Sequence, residues 1–389
     1  MTNLCQHFER CGGCTYLDIP YEQELTIKEN DLVETMGEYG SYVKKLHPAP
    51  KVSGYRNKME LAFGDEGKDG LLALGMRKRR SFYEVATPTE CVLIVDDLKR
   101  IISYVLEYFR STGDVFFHRK RKVGALRHLV LRRGEFTGEI LLNLSTTSTL
   151  ETPLSPLVEG LLSLPLDGKI VGFLHSVNDG VADVVKNENV SVLWERDYYN
   201  EELCGLKFKV SAFSFFQTNS AGAQILYGLV KDFALAHDHG NQGLAYDLYC
   251  GTGTIAQILS PYFDNIVGIE LVEDAIHAAK DNAELNGITN CSFFAGDVLQ
   301  VVGGISEDNK QPHVVIVDPP RNGLHPKALP QILALNAPVI VYVACKPASL
   351  ARDLDAFIAD GYTLVEIQGM DMFPRTPHVE CVALMSRKK

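Results

Sequence analysis

The chain has 389 residues, 46% of them hydrophobic, which is enough for two or three domains with their own cores. Its formal net charge of -11 argues against a protein that binds nucleic acid indiscriminately. The chain begins without the apolar core of a signal peptide and has no apolar run near the ~20 residues of a membrane span. We therefore expect a cytoplasmic protein without a membrane partner, and a monomer by default.

Four of the nine cysteines form a pattern typical of a metal or cluster site. Cys5, Cys11 and Cys14 are closely spaced, and the two glycines between Cys11 and Cys14 let the backbone wrap around a bound group. Cys91 can complete a set of four thiolates, which suits zinc and an iron–sulfur cluster about equally. Reduced cysteines without a metal are the alternative. A fourth cysteine favours a closed, non-catalytic site over a radical enzyme.

A helix is predicted over Tyr21–Met36, and a different pattern follows over residues 50–210. Short alternating runs such as Gly138–Leu144 are separated by Gly, Asp and Asn turns, which predicts a mainly antiparallel β domain. Basic residues are concentrated in this region, at Arg77–Arg80 and over Arg119–Arg133. Such segregation of positive charge in an acidic chain favours a surface that follows nucleic-acid phosphates, and solvated strand faces are the alternative.

From about residue 245 onward, short apolar strands alternate with helices. The segments predicted as buried parallel strands are Leu244–Tyr249, Ile266–Leu271, Ser292–Ala295, Val314–Val317 and Val339–Ala344. The segments predicted as helices between them are Glu273–Leu285 and Ser349–Ala359, each followed by a glycine suited to a left-handed position. Two final strands, Tyr362–Gly369 and Val379–Met385, predict an antiparallel edge. The pattern indicates a doubly wound α/β domain with ligands at the carboxyl ends of its strands.

A glycine turn, Asp247-x3-Gly251-x-Gly253, lies between the first predicted strand and a helix, where it admits a nucleotide-bearing ligand. Glu270 ends the next strand and is placed to bind ribose hydroxyls. The turn also fits a loose dinucleotide-binding pattern. Asp297, suited to an adenine amino group, and Asp318 favour S-adenosylmethionine instead, and a dehydrogenase has no evident use for Cys345.

Cys345 lies at the end of the fifth predicted strand, where open α/β sheets have their active sites. A uracil ring becomes nucleophilic at C5 only after a thiolate adds at C6, and a base must then remove the C5 proton. Glu380, beside an otherwise apolar strand, is costly to bury without a role and is the candidate base. A packed cysteine, and an ion pair of Glu380 with Arg375 or Arg321, are the alternatives.

Together these residues resemble the RNA (uracil-5-)methyltransferases, which make 5-methyluridine in ribosomal and transfer RNA. The matching runs span nearly the whole chain and include Tyr55–Lys58, Gly124–Arg132 and Ser214–Asn219. We expect a C-terminal Rossmann-like methyltransferase domain over 211–389 and a central β-rich, RNA-binding domain over 49–210 that supplies Cys91. Residues 1–48 would carry the other cluster cysteines and a helix that packs on the catalytic domain.

The resemblance also implies a role for each site residue. Cys345 is the implied nucleophile, Glu380 the implied base, and Phe215 lies near the target base. The implied cofactor contacts are Gln217, Tyr249, Thr254, Glu270, Asp297 and Asp318. The cysteines that look like the 4Fe-4S site of the ribosomal-RNA branch are Cys5, Cys11, Cys14 and Cys91. Thr254 and Lys346 stand where family members often or usually have asparagine.

We therefore expect an S-adenosylmethionine-dependent methyltransferase that acts on uracil C5 in RNA, with 23S ribosomal RNA as the favoured target. A transfer-RNA T-loop enzyme would share the same catalytic residues. An iron–sulfur RNA-binding factor without activity, and an enzyme of the same fold that acts on another base, are the further alternatives. Because the chain begins almost at Cys5, we expect it to lack the amino-terminal RNA-binding barrel of some members.

Overall fold

The computed structural model describes residues 5–67, 70–81, 83–182, 184–185, 189–236, 243–298 and 311–387. The helices are α1 (Tyr21–Met36), α2 (Asp96–Thr112), α3 (Ser155–Leu162), α4 (Ser220–Leu235), α5 (Thr254–Leu259), α6 (Glu273–Leu285), α7 (Ala328–Ala334) and α8 (Pro347–Ala359), with short 3-10 turns at Gly37–Tyr42 and Ser260–Tyr262. The strands are β1 (Val43–His47), β2 (Lys58–Asp65), β3 (Leu72–Arg77), β4 (Val85–Ala86), β5 (Leu126–Arg133), β6 (Glu139–Thr146), β7 (Lys169–Val177), β8 (Val190–Glu195), β9 (Tyr198–Leu203), β10 (Leu206–Ser211), β11 (Leu244–Leu248), β12 (Asn265–Glu270), β13 (Cys291–Ala295), β14 (Val314–Val317), β15 (Val339–Ala344), β16 (Tyr362–Met370) and β17 (Glu380–Arg387).

The carboxyl-terminal half of the chain forms a mixed sheet between helices. Among the described strands its order is β1-β16-β17-β15-β14-β11-β12-β13. Strands β11 to β15 pair in parallel, and β17 runs antiparallel between β15 and β16. In β15, alternate side chains enter two different hydrophobic clusters, with Val341 in one and Ile340 in the other. The predicted α/β pattern is confirmed here, with segment ends that agree to within two residues.

Two features of this sheet differ from the sequence prediction. The sequence predicts β13 as buried on both faces, but of its five residues only Phe293 is buried, because β13 lies at an edge of the described sheet. The sequence also predicts the final antiparallel pair at the other edge. Instead, β1 from the N-terminal region pairs in parallel with β16 and covers that pair. A contact between residues so far apart in the chain leaves no local pattern.

The region between the N-terminal helix and the catalytic sheet contains a second sheet. Its order among the described strands is β4-β3-β2-β5-β6-β7-β8, and only the pairing of β6 with β7 is parallel. Helix α2 places an apolar face, including Leu98, Ile101 and Phe109, against Leu129 and Leu131 of β5 in a common core. The sheet is therefore mainly antiparallel, while the domain boundaries at 48/49 and 210/211 stay predictions.

Helix α1 is fixed to the catalytic sheet by buried charges. The Lys28 ammonium lies 2.7 Å from a carboxylate oxygen of Glu24 and 2.7 Å from one of Asp371, and Tyr21 donates to the other oxygen of Asp371 at 2.9 Å. All three charged side chains are at most 1% exposed. Each charge is compensated where water cannot reach it, so α1 packs on the catalytic part of the molecule. No described helix combines the length and apolar character needed to cross a membrane.

Candidate active site

Strand pairing brings Cys345 and Glu380 together. The antiparallel register of β15 with β17 sets Ala344 opposite Cys381. The next two residues, Cys345 and Glu380, therefore lie opposite each other on the other face of the sheet. Both border a cavity of about 1520 Å3 at the carboxyl ends of the parallel strands. The chain thus places a thiol and a carboxyl side by side at the site where a doubly wound fold binds its ligands.

Burial changes the protonation of this pair and of a second carboxyl. Glu380 is 4% exposed, and burial followed by the charge of Asp318 raises its pKa to about 8, against the lowering effect of Arg321. Asp318 borders the cavity, and its partial removal from water raises its pKa to about 7. Burial, followed by the charges of Glu380 and Asp318, raises the pKa of Cys345 to about 11, and Arg321 again opposes the rise. Near neutral pH the site therefore holds a thiol and two partly ionised carboxyls.

The ion pair considered as an alternative role for Glu380 is not formed with Arg375. Arg375 Nη1 lies 3.3 Å from Glu24 instead. Arg321 acts on Glu380 through its positive charge, which lowers the pKa of the carboxyl. Because Arg321 also lowers the pKa of Cys345, one cation favours the anionic form of both groups.

The glycine turn after β11 has the backbone geometry that its sequence predicts. Gly251 and Gly253 have φ values of +52° and +71°, a region that favours glycine. A Cβ at Gly253 would also lie 2.6 Å from the ring of Phe293. The amide of Gly251 donates to Glu270 at 3.2 Å, and the amide of Ala256 donates to Asp247 at 3.0 Å. Two carboxyl groups thereby fix the turn beside the cavity.

Most of the predicted cofactor residues meet at this cavity. Those among its lining residues are Gln217, Tyr249, Glu270, Asp297 and Asp318. Thr254 is the exception: it begins α5, is 7% exposed, and its hydroxyl lies 3.4 Å from that of Thr252. In the described residues it does not border the cavity. Its cofactor contact stays a prediction that no position at the cavity supports.

The second sheet holds the segment that carries Phe215 and Gln217. The Asn57 side chain donates to the carbonyl of Gln217 at 3.1 Å and to the Ser220 hydroxyl at 2.8 Å. Arg132, 1% exposed, donates to the carbonyl of Ala212 at 3.1 Å. Phe215 is 71% exposed and borders the cavity. An aromatic ring thus stands at the cavity opening on a backbone that is fixed from behind.

The basic run Arg119–Arg133 differs from the surface that the sequence predicts. Arg127 is 4% exposed and donates to the carbonyls of Asn178 and Gly180 at 2.9 and 2.7 Å. Arg132 is buried as well, and Arg133 lies 3.1 Å from Asp97. The prediction of a phosphate-following surface is wrong for these arginines, because β5 is an interior strand. It stays a prediction for the exposed residues 119–122 and for 77–80.

The four N-terminal and central cysteines lie near one another. Burial, followed by the charges of Cys91, Cys11 and Cys5, raises the pKa of Cys14 to about 12. All four are free and partly exposed. As they are placed, however, no three His, Cys, Asp or Glu side chains of the described chain form a group that could hold a metal ion. Thiolates are suitable ligands for an iron–sulfur cluster, and these four lie near one another. As they are placed, however, they do not form a complete ligand set.

Several lining residues have no local sequence signal. Tyr198 and Lys209 come from the β9–β10 hairpin, and His277 comes from α6. They meet at the cavity because the hairpin packs against α6, a contact that no local pattern predicts. His378 is different, because it stands in the same short run as Glu380 and could have been selected from that adjacency.

Comparison with known proteins gives consistent matches. A family model described as tRNA (uracil-5-)-methyltransferase matches residues 180–388. An RNA methyltransferase of Clostridium tetani is 43% identical over 387 residues, which are 99% of this chain and 84% of that protein. One of Porphyromonas gingivalis is 35% identical, with 99% and 86% covered. The crystal structure of the Pyrococcus abyssi tRNA (uracil-54, C5)-methyltransferase in complex with S-adenosyl-L-homocysteine is 29% identical with a TM-score of 0.78, covering 96% of this chain and 86% of that one.

Proposed function

The chain belongs to the RNA (uracil-5-)-methyltransferase family, and we propose that it methylates C5 of a uridine in RNA through Cys345 and Glu380. The observation that carries the proposal is the cross-strand position of the thiol and the carboxyl in one cavity beside Asp318. S-adenosylmethionine, when bound, supplies an electrophilic methyl group. The structural similarity to an enzyme that holds S-adenosyl-L-homocysteine supports this choice of cofactor.

The residues of the chain carry the covalent steps and the proton transfer. The Cys345 thiolate forms a bond from Sγ to C6 of the uracil, which moves an electron pair toward C5 and O4. C5 uses that pair to form a bond to the methyl group, whose bond to the sulfonium sulfur of S-adenosylmethionine would break and leave S-adenosyl-L-homocysteine. Glu380 then accepts the C5 proton, the ring double bond re-forms, and the Sγ–C6 bond breaks to release the thiolate. The raised pKa of Glu380, about 8, makes it a stronger base than an ordinary glutamate.

The neighbouring charges also control how much thiolate is available. Ionised Glu380 and Asp318 raise the pKa of Cys345, and Arg321 lowers it. Because the two carboxyls have pKa values of about 8 and about 7, they are partly neutral near neutral pH, and the thiol then ionises more easily. Arg321 is therefore part of the proposed site even though it does not react.

The remaining residues of the cavity bind either the cofactor or the target nucleobase. Glu270 and Asp297 bind the ribose and the adenine, with Gln217 and Tyr249 beside them. Phe215, exposed at the opening, contacts the target base, because a flipped base can stack on an aromatic ring. The target uridine is single-stranded or flipped, since its C5–C6 edge is not accessible to Cys345 within a stacked helix.

The proposed target is 23S ribosomal RNA, because the cysteine pattern resembles that of the ribosomal-RNA branch. Transfer RNA is the second candidate, favoured by the similarity to the Pyrococcus abyssi enzyme. The test uses methyl-labelled S-adenosylmethionine with unmodified large-subunit ribosomal RNA and transfer RNA, offered separately to anaerobically purified protein. Label in 5-methyluridine from one RNA supports the proposal and identifies the substrate class. Label in another nucleoside contradicts it, and RNA binding without label or adduct with 5-fluorouridine RNA supports the inactive binding factor.

The second part of the proposal is a 4Fe-4S cluster held by the four neighbouring cysteines, Cys5, Cys11, Cys14 and Cys91. A bound cluster would cross-link the N-terminal segment to the region that supplies Cys91 and so stabilise the fold. Iron, acid-labile sulfide and visible absorption are measured for the wild type, for Cys14→Ser and for Cys204→Ser, the control at an exposed cysteine. Iron that is lost only in Cys14→Ser supports the cluster. Zinc, or no metal, in the anaerobic wild type contradicts it.

A further inference from the structure

The cavity extends beyond the reacting groups. Its volume of about 1520 Å3 is larger than the ~300–1,000 Å3 typical of a pocket for one small molecule. One part is bordered by Cys345, Glu380 and the strand ends described above. A second part lies between the β9–β10 hairpin and helix α6, and we call it the α6 arm. Its lining residues are Tyr198, Lys209, Ser211, His277, Asp281 and Asn282.

Two asparagines hold the wall of the α6 arm in place. Asn282 accepts from the amide of Lys209 at 2.8 Å and donates to the carbonyl of the same residue at 3.4 Å. One turn later, Asn286 accepts from the amide of Lys207 at 2.9 Å and donates to its carbonyl at 2.8 Å. Because residues four apart share one face of a helix, the two side chains pair with alternate residues of β10 as a neighbouring strand would. The arm is therefore preformed.

The cation at the wall of the α6 arm is not neutralised. Lys209 Nζ lies 5.3 Å from the centre of the Tyr198 ring, a cation–π contact that holds the ammonium in position. The Arg196 guanidinium lies over the same ring at 4.7 Å but pairs with Glu139. Over the described ranges of the chain, no carboxylate forms a salt bridge with Lys209, although the protein carries a net charge of -11. Lys209 is exposed, so its ammonium, at the edge of a cavity in an acidic protein, is available to an anionic ligand.

We propose that the α6 arm binds the nucleotide next to the target uridine, with Lys209 on its phosphate. This inference rests on the proposed function, because the arm continues the cavity that holds Cys345 and Glu380. An ammonium forms charge-assisted hydrogen bonds with phosphate oxygens. Asp281 repels a phosphate but accepts hydrogen bonds from a base, so the phosphate lies toward the hairpin and the base edge toward α6. The carboxylate of the cofactor is the other anion that Lys209 could meet.

The experiment compares Lys209→Ala with Lys207→Ala. Lys207 is two residues away on the same strand and is exposed like Lys209, but it does not border the cavity, and both variants keep the backbone bonds to the asparagines. The ligands are a uridylate mononucleotide and a uridylate trinucleotide, whose affinities are measured by calorimetry. The wild type and Lys207→Ala should bind the trinucleotide more tightly than the mononucleotide. In Lys209→Ala, the ratio of the trinucleotide affinity to the mononucleotide affinity should fall about 10-fold or more.

Kinetics with the RNA substrate give an independent readout. Lys209→Ala should raise KM for RNA and leave KM for S-adenosylmethionine unchanged. The slope of the logarithm of the RNA affinity against the logarithm of the salt concentration should become shallower by about 0.7, the value for one lost phosphate contact. Equal behaviour of the two lysine variants overturns the inference. A higher KM for S-adenosylmethionine alone also overturns it, because Lys209 would then bind the cofactor. If the wild type methylates no uridine but keeps the Lys209-dependent gain for the trinucleotide, the proposed function fails and the nucleotide site remains.

Discussion

Replacing Glu380 with glutamine separates the addition of Cys345 to the uracil from the later removal of the C5 proton. The change keeps the size of the side chain and removes the carboxylate opposite Cys345. Because the charge of Glu380 is the largest cause of the raised Cys345 pKa after burial, we expect the pKa of the thiol to fall below about 11. Attack of Sγ on C6 then becomes easier. Removal of the C5 proton loses its base, which typically costs ~10²–10⁴-fold in rate.

The wild type should show the matching pH dependence. With a pKa of about 8, roughly one-tenth of Glu380 is ionised at pH 7 and about nine-tenths at pH 9. Only the ionised carboxyl accepts a proton, so kcat/KM should rise about tenfold or more over this range. Ionisation of Cys345, whose pKa is about 11, makes the rise steeper.

The assay follows the covalent adduct and the released product. With methyl-labelled S-adenosylmethionine, Glu380→Gln should accumulate a labelled protein–RNA adduct that survives denaturing electrophoresis, and multiple turnover should be lost. Alkylation of Cys345 at pH 8, measured by peptide mass spectrometry, should be faster than in the wild type. Glu366→Gln, on β16 and outside the cavity lining, is the control and should change neither result. Release of 5-methyluridine at the wild-type rate, or a flat wild-type profile between pH 7 and pH 9, would refute the assignment.

Three further substitutions test other parts of the structure. Cys345→Ala should abolish both turnover and adduct formation while calorimetry shows unchanged affinity for S-adenosylmethionine; retained turnover would exclude Cys345 as the nucleophile. Arg321→Gln removes the cation that lowers the pKa values of Cys345 and Glu380, so the rising limb of kcat/KM should move to higher pH, and a move to lower pH contradicts this electrostatic account. Lys28→Met leaves the buried Asp371 carboxylate without its cation and Glu24 with Arg375 alone, so it should reduce the free energy of unfolding in urea by ~3–5 kcal/mol, whereas a loss below ~1 kcal/mol would show that these charges are not tightly coupled.

The elements of the catalytic sheet can be predicted from the amino-acid sequence, because the signals for them are local. The run Val339–Ala344 is short, rich in β-branched residues and apolar at every position, which is typical of a strand buried on both faces, and it forms β15 with the predicted bounds. Gly287 and Gly361, which follow predicted helices, have φ values of +65° and +92°. Cys345 at the end of β15 and Glu380 at the start of β17 could also be selected as the chemically unusual residues beside apolar strands.

Which side chains meet depends on contacts between strands and helices that are far apart in the chain. The register that places Cys345 opposite Glu380 belongs to the pairing of two strands separated by α8 and β16, and no local pattern encodes it. The same holds for β1 beside β16 and for the Lys209 ammonium at the α6 arm. The sequence also did not predict the burial of Arg132, because an arginine in a basic run has the same local pattern whether it faces water or a buried carbonyl. Local backbone preference fixes elements, whereas register, burial and charge pairing depend on contacts between residues far apart in the chain.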